Sequence, residues 1–385
     1  MGIRVALATA VATLLAAIVA TAGAAPAVER GIALAVAAPS ALEGPGGGVV
    51  TVEIHPRPSG DVAFVTTARR PDGRLLWRRA RTVDCGSGGC HGNGERPQRH
   101  PDGTIGPVGF TGGEAWAYDE AGREVGWCPG ARDARGGCIH GIGLDEPGEP
   151  LPRAAVVGHD GAGERWRTVL PGVRWHWDAF ARVEVARDHA GRAYAVFPGL
   201  VADGPTAVAV RRVHAVSAVD GRALWHADGP MGILAALGRG VLVGEQRAIA
   251  AHGPDGALLW RRPASGPPLA WRAAVDTRRG RVVVSGVAAR PRAIALRVED
   301  GRPLWGTRPR DAAHLLGVDR AGRTYVAATA GPGRGVVALA PGGGQLWRLP
   351  LRGRVLAAVP MAGGRVAVVV TPPRAARARL LVVRG

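Results

Sequence analysis

Short runs of Val, Ala and Leu recur along the chain between Gly- and Asp-rich turns. Some alternate with polar residues and some are continuous, the pattern of strands buried between packed sheets. One full unit reads from Gly317 to Trp347. A strand at Gly317-Val318 is followed by the turn Asp319-Arg320-Ala321-Gly322 and a second strand over residues 323–327. Residues 336–339 form a third strand, and a Gly-rich turn leads into a fourth at Leu346-Trp347. Residues 185–196 and 275–284 repeat the first half of this unit.

The fourth strand carries the clearest repeat. Asp72-Gly73-Arg74-Leu75-Leu76-Trp77 has close copies ending at Trp225, Trp260 and Trp305, a degenerate copy ending at Trp347, and looser ones ending at Trp127 and Trp166. The Trp-to-Trp steps are 50, 39, 59, 35, 45 and 42 residues, the period of a four-stranded blade with variable loops. Asp-Gly and Gly-Gly supply the positive φ angles of tight hairpins. One blade cannot bury its own faces, so a large flat side chain at a fixed position packs it on the next. Trp77, Trp127, Trp166, Trp225, Trp260, Trp305 and Trp347 are therefore expected to pack blades, not to line a ligand cage.

The expected fold is an all-β propeller of about eight blades, with seven as the alternative. Residues 32–36, 49–54, 62–67 and 75–77 would form the first blade. Residues 355–359, 366–370 and 380–383 follow Trp347 without a closing Trp hairpin. An eighth blade would then be completed by N-terminal residues 27–31, closing the ring through both termini.

Composition agrees with many turns. Gly 59 and Pro 30 are too many for a helical protein, and 46% hydrophobic residues supply ample core. The net charge is +18, and every basic residue is Arg. Such a charge can attract nucleic acid, anionic lipid or acidic polysaccharide. The Arg residues are scattered and the aromatic residues lie mainly in the repeats, so a nucleic-acid platform is not expected and a GC-rich coding bias accounts for the Arg.

Met1-Gly2-Ile3-Arg4, an apolar run over residues 5–20 and Ala22-Gly23-Ala24 match a signal peptide over residues 1–24, with an uncleaved anchor as the alternative. No Cys follows the apolar run, which argues against a lipid anchor. The expected location is periplasmic or extracellular.

All four cysteines, Cys85, Cys90, Cys128 and Cys138, fall in a segment read as Cys-bearing loop insertions over about residues 82–148. An even count in an exported chain points to disulfides, Cys85–Cys90 and Cys128–Cys138, with the crossed pairings left open. Two alternatives compete. Cys85-Gly86-Ser87-Gly88-Gly89-Cys90-His91 resembles a lengthened c-type haem attachment motif. A zinc site could instead draw on the four cysteines with His91 and His140. Trp175-His176-Trp177 reads as blade strand or rim loop, with a ligand-facing aromatic patch as the sharper alternative.

The repeat resembles the pyrroloquinoline-quinone-type (PQQ-like) propeller repeat, whose docking motif runs roughly Ala-x-Asp-x-x-x-Gly-x-x-x-Trp. Ala117-Tyr118-Asp119 through Trp127 keeps the full span, and Ala218-Val219-Asp220-Gly221 through Trp225 is a shortened form. The resemblance covers most of residues 30–385 and is strongest from 185 to 350. It implies either a quinone-dependent dehydrogenase or a non-enzymatic outer-membrane assembly propeller of the BamB type. The dehydrogenases carry adjacent cysteines, a calcium held by Glu, Asn and Asp, and an Asp base. Here no two Cys are adjacent, Asn93 sits in a Gly-rich loop, and Asp72, Asp220, Asp255 and Asp300 occupy turns. No phosphate loop, nucleophile elbow or His-Glu-x-x-His pattern is present. The expected function is thus a monomeric, non-catalytic binding or scaffold module for a cell-envelope protein or polymer, with no catalytic residue, cofactor or metal. The alternative is a redox protein holding the quinone, or a haem at Cys85, Cys90 and His91.

Overall fold

A computed structural model describes residues 26–35, 40–59, 61–83, 98–99, 104–109, 115–125, 128, 131–132, 137–144, 152–160, 162–175, 183–188, 190–201, 208–230, 232–264, 271–286, 292–307, 313–328, 334–375 and 377–385. The chain is all-β, with eight four-stranded antiparallel blades in a ring. In chain order the blades span residues 40–83, 98–125, 131–175, 184–228, 232–263, 272–306, 313–350 and 354–384, the last completed by Ala27–Ala33. They are called blades 1 to 8 below. The helical turns among the described residues are three-residue 3-10 segments.

Ring closure follows from the missing hairpin after Trp347. Arg354–Pro360, Arg365–Thr371 and Arg379–Arg384 supply three strands of blade 8. Ala27–Ala33 supplies the fourth, pairing from Ala27 opposite Arg384 to Ala33 opposite Arg379. Glu29 bridges to Arg365 at 2.6 Å across the same blade. This corrects the expected start of blade 1. Ile32 and Ala33 belong to the closing strand, and blade 1 opens with Ser40–Glu43 instead. Neither segment, Ala-Val-Glu-Arg-Gly-Ile-Ala or Ser-Ala-Leu-Glu, shows a regular alternation that would assign it, so the pairing partner separates them. Residues 82–148 hold the four strands of blade 2 and the first two of blade 3 as well as connections.

The continuous Val runs have a direct cause. Along Arg365–Thr371, Val366 and Val368 pack toward blade 7 with Tyr325, Val336 and Trp347. Ala367 and Val369 pack the opposite way, with Val49 of blade 1. A strand buried on both faces has no polar face to display. Blades 3 and 4 also join edge to edge, with Arg174 opposite Leu200 and Trp175 opposite Gly199.

The Trp-bearing fourth strands meet the next blade at its turn glycine. A methyl group on Gly122, Gly221, Gly256, Gly301 or Gly343 would come within 2.4–2.8 Å of Trp77, Trp166, Trp225, Trp260 or Trp305, respectively. All five glycines have positive φ, from 66° to 87°, which hairpin geometry demands and side chains resist. Four of the indoles donate to a carbonyl of that next turn: Trp77 to Glu120 at 3.0 Å, Trp225 to Pro254 at 3.0 Å, Trp260 to Val298 at 2.7 Å and Trp305 to Pro341 at 2.9 Å. At the last junction the C-terminal Gly385 lies against Trp347. Trp127 lies outside the described residues.

Candidate functional site

In an up-and-down blade the 1–2 and 3–4 hairpins share one face of the ring, here called the hairpin face. The 2–3 and blade-to-blade connections share the other. On the hairpin face an open cleft of about 550 Å³ lies where blades 7, 8 and 1 meet. Its walls are the 1–2 turns of three blades: Val318–Ala321 and Arg323 from blade 7, Pro360–Gly364 from blade 8, and Glu43, Gly46 and Gly47 from blade 1. Small turn residues make the space. A methyl on Gly47 would approach the Ala362 Cβ to 2.8 Å, and Gly46, Gly47, Gly363 and Gly364 all have positive φ.

The charged side of the cleft is held in place by its own turn. The Asp319 carboxylate accepts from the Arg323 backbone N–H at 2.8 Å, from Arg323 Nε at 2.7 Å and from the Tyr325 hydroxyl at 3.0 Å. Burial, and then the Asp319 charge, raise the Tyr325 phenol above its usual pKa, so it remains a donor. Blade 4 repeats the arrangement. Asp188 accepts from Arg192 Nη1 at 2.9 Å and from Tyr194 Oη at 2.8 Å. The sequence signal is Asp-x-Ala-Gly-Arg-x-Tyr, present at 188–194 and at 319–325. Reading those stretches only as turns missed the shared triad.

A second cluster also escaped sequence reasoning. Arg281 is fully buried and pairs with Asp276 at 3.1 Å. Its other nitrogens donate to the carbonyls of Gly322 and Pro341 in blade 7. The Arg that opens this Val run follows Arg278-Arg279-Gly280 and carries no signal that it, and not its neighbours, is buried.

The repeat-turn carboxylates do structural work. Asp72, Asp119, Asp160, Asp220, Asp255 and Asp300 each accept the backbone N–H two residues on, at 2.8–3.1 Å. These are the Asx turns expected from the Asp-Gly pattern.

The cysteine segment is partly described. Cys128 and Cys138 form a disulfide beside the hairpin that pairs Arg132 with Cys138. With both sulfurs so bonded, neither offers zinc a thiolate. His140 stacks on His159 at 5.1 Å, and burial followed by the His159 charge pushes its pKa down to about 4. Cys85, Cys90 and His91 lie outside the described residues, as do His176 and Trp177. Trp175 ends the strand Gly163–Trp175, opposite Gly199.

The quinone dehydrogenases of this fold bind their cofactor with an adjacent-cysteine disulfide and a calcium-holding set of carboxylates. The residues described here do not fit that group. The disulfide joins cysteines ten positions apart, no cluster of three or more His, Cys, Asp or Glu exists among the described residues, and the repeat carboxylates are held in peripheral turns.

Comparison with known proteins places the class. Residues 209–318 and 294–380 match the family model described as outer membrane protein assembly factor BamB. A sequence search of curated proteins finds no match. Among solved structures, BamB from Moraxella catarrhalis has a TM-score of 0.51 at 13% identity, covering 94% of this chain and 98% of that one. The quinohemoprotein alcohol dehydrogenase ADHIIG from Pseudomonas putida HK5 has a TM-score of 0.59 at 14% identity, covering 94% and 77%. Sqt1 from Saccharomyces cerevisiae has a TM-score of 0.52 at 10% identity, covering 94% and 98%. At such identities the structures show the fold alone. The chain is an eight-bladed β-propeller. The family match runs from the third strand of blade 4 into the last strand of blade 8, and it is to the model described as outer membrane protein assembly factor BamB.

Proposed function

We propose that this propeller is an exported, non-catalytic binding or scaffold module for a protein or polymer of the cell envelope. A polar group of the partner enters the cleft between blades 7, 8 and 1. The carrying observation is the cleft's make-up. Its lining has Glu43, Asp319, Arg320 and Arg323 around turn glycines, but no Ser, Thr, Cys, His or Lys. Asp319 is already engaged by Arg323 and Tyr325. Such a set orients an ionic or hydrogen-bonding group on a rigid rim and holds no activated nucleophile. Export is supported by Ala22-Gly23-Ala24 after the apolar run and by the Cys128–Cys138 disulfide, a bond of oxidising compartments. The BamB-type family match supports an envelope setting.

The test is site-specific photo-crosslinking of the full chain in its native host. A photoreactive residue at position 320 should capture an envelope component, whereas one at position 302, in the outer turn of blade 6, should not. The purified protein should be colourless and begin after Ala24. A bound visible chromophore, or a chain retained in the cytoplasm, would overturn the reading.

A further inference from the structure

Arg is spread along the whole sequence, but carboxylates are not. From Arg320 to the C-terminus there are eleven Arg and no Asp or Glu. Six of these arginines fall together on the face of the ring opposite the hairpin face. Arg334 leads into the third strand of blade 7, and its carbonyl accepts from the Leu351 N–H at 2.9 Å, next to Arg352. Arg354 opens blade 8 opposite Thr371, and Arg379 pairs with Val370. Arg374 and Arg377 lie in the connection between those two strands. All six are exposed, and none forms an ion pair among the described residues. No acid among the described residues is paired with any of them. The Arg354 charge even contributes, after burial, to lowering the pKa of His314 on blade 7.

A second observation marks the same place. Arg374 is the one non-glycine residue with positive φ among the described residues, at 58°. Pro373 precedes it, and the Ala375 N–H donates to the Pro372 carbonyl at 3.2 Å. That is the third position of a Pro-initiated turn, where Gly or Asn is favoured. In a chain with 59 glycines, a strained Arg stands where Gly would relieve the strain.

We infer that this patch is a docking surface for an acidic polypeptide segment, a run of Asp and Glu in a partner protein. Guanidinium groups pair bidentately with carboxylates. No aromatic residue follows Trp347 in the sequence, and Tyr325 and Trp347 of blade 7 are buried, so neither blade exposes a Trp, Tyr or Phe ring there on which bases or sugars stack. Exposed Arg57, Arg247, Arg272 and Arg292 lie at the corresponding strand ends of other blades, but there Asp61, Asp228 and Glu245 stand among them. Six arginines without a carboxylate between them are found on blades 7 and 8, a width that suits a short acidic segment. This inference rests on the binding-module reading above and adds the partner's chemistry, on the face opposite the cleft.

Fluorescence anisotropy of a labelled peptide of alternating Glu and Asp, titrated with the full chain, tests it. The peptide should bind in moderate salt, and the variant R352Q/R374G/R379Q should weaken binding by about tenfold or more. The hairpin-face control R74Q/R222Q/R302Q removes the same charge and should change it by about twofold or less. Arg374→Gly keeps the turn, so loss of binding with an unchanged melting midpoint reports the surface and not the fold. Equal losses in both variants would overturn the proposal by showing a response to net charge alone. Tighter binding to phosphatidylglycerol vesicles or to a single-stranded oligonucleotide would overturn it in favour of those partners. Failure here with crosslinking at position 320 intact would sink the acidic-segment inference and leave the binding-module reading standing.

Discussion

The side chain of Arg30 lies across Gly73, so close that a methyl group on that glycine would come within 2.7 Å of Arg30 Cδ. At five other junctions a tryptophan takes this place over the turn glycine of the next blade. Blade 8 has no Trp hairpin, because its outer strand comes from the N-terminus. The aliphatic stem of Arg30 covers the glycine while its charged end reaches water, as long basic side chains do. Ring closure is thereby made with the same geometry and a different residue.

The glycine end of the junction should tolerate no side chain. Gly256 has φ of 86°, and a Cβ there would meet the Trp225 ring at 2.8 Å. Gly256→Ala is expected to destabilise the protein by about 1–3 kcal/mol, through backbone strain and displacement of the indole. Gly342→Ala, with nothing within 4 Å of its Cβ, is the control and should leave the thermal midpoint in place.

The tryptophan end should depend on its hydrogen bond. Trp260 donates to Val298 at 2.7 Å, whereas the buried indole nitrogen of Trp166 has no partner among the described residues. Both Trp→Phe variants lose packing, but Trp260→Phe also leaves a carbonyl without its donor. Its cost should exceed that of Trp166→Phe by about 1 kcal/mol in urea melts. Equal costs would mean that packing alone sets the junction.

Arg281 clips blade 6 to blade 7 through Asp276 and two carbonyls. Arg281→Met leaves buried Asp276 with only Arg279, at 3.4 Å, and takes the donor from two carbonyls, so it should cost up to about 3–5 kcal/mol. The double variant R281M/D276L removes both charges and should recover much of that loss. Chemical denaturation of the two single variants and the double variant reads the coupling.

Acid should destabilise the fold partly through His214. Burial first, then Arg212 and His226, push its pKa from 6.5 down to about 3. The unfolded chain therefore binds this proton at a higher pH than the native one. The stability of the neutral, buried ring is complete above about pH 6.5 and is lost progressively as pH falls toward 3, by at most about 3 kcal/mol at pH 4. His214→Leu should flatten that part of the profile, measured as the difference in melting midpoint from the parent between pH 6.5 and 4.

Peptide mapping without reductant should recover Cys128 joined to Cys138, consistent with their bond in the structure. Cys85 and Cys90 should then be linked to each other. Replacing both Cys128 and Cys138 by Ser should cost about 3 kcal/mol, the chain-entropy value for a loop of this length.

The blade architecture was legible in the sequence because it rests on local chemistry. Asp and Gly two residues before a strand make an Asx turn with positive φ wherever they occur, and a Trp four residues later marks the outer strand. Apolar runs without a polar alternate announced strands covered on both sides. The eighth blade, too, followed from three strands without a closing hairpin and an unassigned N-terminal run. Tertiary structure alone decided the rest. That Ile32 and Ala33 extend the closing strand, while Ser40–Glu43 opens blade 1, depends on which strand edge lies beside each segment. The cleft gathers Glu43, Asp319 and Met361 from distant parts of the chain, because circular closure brings the first blade against the last two. The same closure sets Arg30 over Gly73 in place of a tryptophan. Local sequence determines the unit; contact between units far apart in the chain determines where charge collects and which surfaces face a partner.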